Sequence, residues 1–289
     1  MEPRVGVKYK ISKKQKIGIG YRLHSQAQPR IYYFKQERLP DGSYFLTNKD
    51  VKLSKSHQFA LAHDVLFTEN FRLKTEVYYQ SLYDIPVTQV NSQFSILNVG
   101  TDFRRFAEDS DSLENLGTGE NYGVEFTLER FLSKNFYMLT TVSLFNSLYK
   151  DYDKIERNTV FNNNYILNVL GGYEKKVAKH GYALLDLKLT YAGRRRFLPI
   201  NLEASKEAGE TIYDWENAYE NRHDDYLRAD VKLSFKLDMK HMNHEWVINF
   251  QNITNQKNIF SETYNSQTQE TIKRYQLGFF PAFLYRVTF

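Results

Sequence analysis

Alternation of apolar and polar residues dominates this chain. At its end Phe283, Tyr285, Val287 and Phe289 sit two apart, with Leu284, Arg286 and Thr288 between them. That spacing places the large apolar groups on one face of a strand. The same pattern recurs in pairs. Val5, Val7 and Tyr9 pass through Ser12–Gln15 to Ile17, Ile19, Tyr21 and Leu23. Phe59 to Phe67 leads through Thr68–Asn70 to Phe71 and onward to Tyr79, and Tyr122 to Leu128 leads through Leu132–Asn135 to Phe136 and on to Leu144. Tyr165 to Gly171 turns near Ala178–Gly181 into Ala183 to Tyr191, and Leu227 to Leu237 turns at Asp238–Asn243 into Trp246, Ile248 and Phe250. With the terminal segment, about eleven strands are predicted.

The connections alternate as strictly as the residues do. Short turns take turns with stretches of a dozen to nearly forty residues, among them 24–56, 81–120, 149–163, 192–224 and 252–274. A sandwich or a soluble barrel has no reason to keep its long loops at one end. A membrane-spanning barrel has short turns on one rim and long loops on the other, with strands of about ten residues. A closed barrel also pairs its last strand with its first, so a chain that stops in mid-ladder carries no fraying end. The predicted fold is therefore all-β, an antiparallel transmembrane β-barrel.

Composition agrees once that pattern is in view. The chain is 42% apolar and 25% charged, yet 16% of it is aromatic, with 22 Tyr and 21 Phe. Lipid meets only alternate residues, and rings gather at the two interfaces, so such a barrel is polar on average and rich in aromatics. No apolar run is long enough for a helical span. Cysteine is absent, which excludes disulfides and thiolate metal sites. The net charge of +5 is spread along the chain, and its densest basic stretch, Lys8 to Lys16, lies around a turn, which argues against nucleic-acid binding.

Parity adds an expectation about completeness. If the last strand runs toward the periplasm, the first of eleven also does, whereas a single-chain barrel has an even number with both ends periplasmic. Met1–Arg4 shows none of the features of a signal peptide. The chain is expected to begin in mid-barrel.

Several stretches carry a family resemblance. They are Glu2–Arg4, Tyr21–Gln26 with Gln28-Pro29, Asn121–Glu125, Asn158–Asn162, Leu189–Arg195, Gln251–Gln256 and Tyr275–Pro281. In this order, and ending on Phe289, they resemble the C-terminal barrel of TonB-dependent outer-membrane receptors of Bacteroidetes type. The resemblance covers residues 1–289. It implies a 22-strand barrel of which this chain is the C-terminal half, with a signal peptide, plug and first barrel half lying upstream. It further implies TonB-energised uptake of a ligand into the periplasm, with the chain's own plug and TonB as partners in the full-length protein and no transport by this part alone. Phe283, Tyr285, Val287 and Phe289 resemble the signal read by the barrel-assembly machinery. A non-transport barrel, an adhesin or a barrel enzyme, is the alternative.

Candidate chemistry is sparse. Arg194, Arg195 and Arg196 stand where a strand meets a long loop that also holds Trp215. They suggest a cationic clamp for an anionic ligand, or, as the blander reading, a solvated rim touching lipopolysaccharide. His241 and His244 fall in a turn and His223-Asp224 in a long loop, so they cannot meet and no metal is expected. The run Glu108-Asp109-Ser110-Asp111 lacks the spacing of a calcium loop. Serines and histidines at 24–25 and 56–57 have no nucleophile signature, so neither catalysis nor a cofactor is expected. The residues between the apolar ones, including Lys74, Glu76, Glu125, Thr127, Asp186, Lys188, Arg228, Asp230, Lys232, Asn249 and Gln251, are expected to line the lumen with salt links of mixed sign.

Overall fold

The computed structural model describes residues 1–88, 93–100 and 112–289. Along the chain run β1 Arg4–Lys10, β2 Gln15–Gln26, helix α1 Arg30–Tyr33, β3 Gln36–Arg38, β4 Tyr44–Leu46, β5 Ser54–Thr68 and β6 Phe71–Thr88. β7 Leu113–Ser133, β8 Phe136–Lys150, β9 Glu156–Asn158, β10 Tyr165–Lys176 and β11 Gly181–Ala192 follow. Helix α2 Leu202–Ala208, β12 Tyr226–Asp238, β13 Asn243–Gln251, β14 Ile259–Asn265, β15 Glu270–Tyr275 and β16 Phe280–Thr288 complete it.

One antiparallel sheet holds the molecule together. Its order is β1-β2-β5-β6-β7-β8-β10-β11-β12-β13-β16, with β9 added beside β8. These are the eleven strands the alternation predicts, arranged as part of a barrel. The short turns are tight. Lys134 and Asn135 both have positive φ, the conformation that a two-residue hairpin turn needs to match the twist of its strands.

Strands run longer than the apolar alternation suggested, because they continue past the lipid-facing band toward the loops. β7 shows why the sequence hid this. Its first residues are acidic and glycine-rich and read as loop, but Gly119 pairs with Leu82 and Tyr149 inside the sheet. A Cβ there would stand 2.7 Å from a Leu97 methyl, so glycine lets the loop side chain lie against the strand. Two small hairpins, β3–β4 and β14–β15, lie within segments that read as polar connections.

The two faces differ as alternation requires. Val7, Ile19, Leu61, Val77, Val124 and Leu144 form one row across six strands. Most of the row is open to the outside among the described residues: Ile19 is 61% exposed and Leu61 51%. Toward the loop end, Tyr21, Phe59, Tyr79 and Tyr122 make a row of rings across four strands. Toward the turn end, Phe235, Trp246 and Tyr285 align, and His244 Nδ1 meets the Tyr285 hydroxyl at 2.7 Å. Aromatic belts flanking an apolar band are the outer surface of a membrane barrel.

Leu187 lies in the middle of β11 on this face and is 53% exposed. Replacing it with arginine is expected to cost about 2–4 kcal/mol, the range for a cation on the lipid face near the bilayer centre. Denaturant titration in lipid vesicles reads the shift. An unchanged midpoint would mean that β11 turns its other face to the lipid.

Candidate functional site

The opposite face is polar, and its charges are linked in short chains. Arg72 grips Asp64 through Nε at 2.9 Å and Nη2 at 2.6 Å and reaches Glu129 at 3.4 Å. Lys74 pairs with Glu76 at 2.7 Å. Lys232 pairs with Asp186 at 2.8 Å, and Tyr137 donates its hydroxyl to the same carboxylate. Arg228 bonds Asp230 at 2.8 Å and Gln251 at 2.9 Å. Of the lumenal residues expected from sequence, these contacts join Lys74, Glu76, Asp186, Lys232, Arg228, Asp230 and Gln251. Asp64, Arg72, Glu129 and Tyr137 were not among them. Arg72 and Glu129 continue the same alternation two positions nearer the turns, and Asp64 and Tyr137 stand at the alternate positions of β5 and β8.

Gly172 sits at the centre of one of these links. The Tyr137 ring and the Asp186 carboxylate both occupy the space that a Cβ at position 172 would need. Glycine lets the ring lie flat on the wall and deliver its hydroxyl to Asp186.

The outer loops fold over this polar face and, with the strand ends beneath them, supply most of the well-buried apolar side chains. Tyr32, Phe94, Val99 and Leu113 form one cluster, and Tyr149, Ala218 and Tyr219 a second. Leu198 and Trp215 pack against both. Phe94 and Trp215 meet edge-on at 6.1 Å. Polar side chains tie the loops further. Asn48 accepts from the Leu113 amide at 2.8 Å, Asn98 from the Val160 amide at 2.9 Å, and Tyr149 donates to the Gln93 carbonyl at 3.0 Å.

The three consecutive arginines have three different surroundings. Arg194 is exposed, its Nε 3.9 Å from Asp225, whose carboxylate also accepts the hydroxyls of Tyr165 and Tyr191. Arg195 donates to the Phe260 carbonyl at 2.6 Å, joining two loops. Arg196 is buried, and its Nη1 donates to the carbonyls of Tyr219 at 2.8 Å and Glu220 at 3.3 Å. Burial and nearby Arg222 hold its pKa below the usual guanidinium range. Trp215, the fourth residue singled out from sequence, is the bridge between the two loop clusters. The run Glu108–Asp111 lies outside the described residues. His241 and His244 stand at the turn end of the sheet, and His223 among the loops at the other.

His223 is buried, with its ring stacked on Phe197 at 4.2 Å. Burial, with Arg195 and Lys273 nearby, lowers its pKa to about 4, against the weaker opposing pull of Asp224. Glu262 lies 3.7 Å away. The folded loops thus favour the neutral ring. That stability is complete above the ordinary value of 6.5 and is lost as pH falls toward 4. Protease cleavage within 195–223 is expected to quicken between pH 7 and pH 4.5, and much less in His223→Phe. Equal acceleration in both proteins would place the pH sensitivity elsewhere.

An apolar outer face, a charged inner face and long loops at one end define a membrane β-barrel wall. The chain belongs to the family described as TonB dependent receptor-like, beta-barrel, whose model matches residues 2–255. No curated protein matches the sequence. Among solved structures, the ferric preacinetobactin receptor of Acinetobacter baumannii superposes with a TM-score of 0.59 at 12% identity, covering 99% of this chain and 36% of that one. The ferric yersiniabactin uptake receptor of Yersinia pestis gives 0.57 at 12% identity, covering 96% and 35%. At such identities the likeness shows the fold. The chain spans about a third of the length of these receptors.

Proposed function

We propose that this chain is the C-terminal part of the barrel of an outer-membrane receptor that takes up a ligand into the periplasm with energy from TonB. The family match over residues 2–255 carries the reading. The loop cap over a charged wall supports it, since loops gather a ligand above a lumen and mixed charges suit a wall that meets a plug. The motif strings from Glu2 to Pro281 favour a Bacteroidetes-type member. In the full-length protein the partners are its own plug, TonB, the assembly machinery that reads Phe283, Tyr285, Val287 and Phe289, and surrounding lipid and lipopolysaccharide. The matched receptors are named for ferric siderophores, while the ligand here is set by loops particular to this chain.

Cross-linking in cells tests this reading. The protein expressed from its native gene is expected in the outer-membrane fraction and in a cross-linked product with TonB. Recovery in the aqueous fraction, or a membrane-bound protein that never cross-links to TonB, would overturn it. The second outcome would favour a non-transport barrel.

A further inference from the structure

Four loops form a cavity of about 340 Å³ at the loop end of the wall. Its lining comes from residues 98–100, 160–161, 195–198 and 260–262, together with His223. We propose that this cavity binds a small carboxylate carried on a flat apolar ring, with Arg196 and Arg195 as the anion-binding groups. The proposal deepens the receptor reading by naming a ligand class, and rests on that reading only for the ligand's uptake.

The cation is the first reason. Arg196 is 8% exposed, and its contacts are two backbone carbonyls. No carboxylate among the described residues lies within ion-pair distance of it; Glu220, farther off, pulls on its charge more weakly than burial and Arg222 oppose it. A buried cation without an anion is costly, and carbonyl oxygens offset only part of that cost. Its Nε–H has no acceptor, and neither does the Nδ2 of buried Asn98 in the same lining. Arg195 adds a second guanidinium to the wall. Glu262, the one acid among the described lining residues, already has His223 at 3.7 Å and Lys273 at 3.9 Å. The described lining thus carries two guanidinium groups against one carboxylate, and guanidinium groups match the planar, two-oxygen geometry of a carboxylate.

The walls are the second reason. Phe161, Phe197 and Phe260 line the cavity, and His223, neutral at pH 7, backs the Phe197 ring. Flat rings of this kind hold a flat apolar body by stacking. The volume sits at the small end of ligand pockets, which suits a one- or two-ring acid. A neutral sugar would stack but leave Arg196 uncompensated. A bare anion would satisfy Arg196 but leave the rings empty.

Calorimetry on the protein purified from outer membranes in detergent decides among these. The probes are 2-naphthoate, its neutral isostere 2-naphthamide, and acetate. The acid is expected to bind at least tenfold more tightly than either of the others. Arg196→Gln should erase the preference for acid over amide, and Arg195→Gln should weaken the acid several-fold while leaving the amide unchanged. Equal affinity for acid and amide in the wild-type protein would overturn the proposal. So would a preference for acid that survives in folded Arg196→Gln, or no binding of either ring compound. If Arg196→Gln fails to fold, the wild-type comparison and the Arg195→Gln variant still decide it. None of these readouts involves TonB, so failure here and failure of the receptor reading are separate results.

Discussion

Truncating Trp215 to alanine is expected to loosen the whole outer cap while leaving the sheet intact. Buried Trp→Ala changes cost about 3–5 kcal/mol. Trp215 is half-buried, so roughly 2–4 kcal/mol is the expected local loss. The effect should spread because Trp215 packs against both loop clusters, and Leu198 alone then joins them among the buried and half-buried apolar residues described. Amide exchange is expected to accelerate together in residues 30–52, 93–99 and 195–220, with no change in β10 to β12. Acceleration confined to 213–217 would show that the clusters stand independently.

The other large effect is expected at Gly172. Valine there would place a Cβ where the Tyr137 ring and the Asp186 carboxylate now lie. Overpacking costs about 1–3 kcal/mol. Parting Tyr137 from buried Asp186 adds the cost of a broken hydrogen bond to a charged group, about 1–3 kcal/mol. A total of roughly 2–6 kcal/mol should appear as a lower denaturant midpoint. Removing the ring first should relieve most of it, so Gly172→Val measured in a Tyr137→Ala background is expected to be mild. An equal loss in both backgrounds would refute the ring-on-glycine account.

The strands were readable because each obeys one local rule. Val7, Ile19, Leu61 and Val77 announce an exposed face because each stands two residues from the next apolar side chain of its own strand, and the register then places them side by side. The lumenal pairs Lys74–Glu76 and Lys232–Asp186 follow from the same parity. What escaped was whatever depends on distant chain. Leu113–Glu120 read as loop because Gly117 and Gly119 weaken a strand signal, while the reason for glycine at 119, the Leu97 side chain, comes from another segment. Tyr32, Phe94, Tyr149 and Trp215 show no period that sets them apart from ring-rich surface. Their burial comes from loops meeting across the sheet. The three arginines make the point most sharply. They are identical neighbours in sequence, and only tertiary structure separates an exposed Arg194 from a buried Arg196.

The alternation of short and long connections also sets an order in time. β1–β2, β5–β6, β7–β8, β10–β11 and β12–β13 are each joined by a tight turn, so they can zip up as local hairpins. Joining one hairpin to the next closes a segment up to about tenfold longer, at roughly 2 kcal/mol more of chain entropy. Five hairpins should therefore form early and merge later. β16 has no such partner: its neighbour β13 lies across residues 252–279. Phe280–Thr288 thus joins as a single strand, and only once the β12–β13 hairpin has given it an edge to pair with.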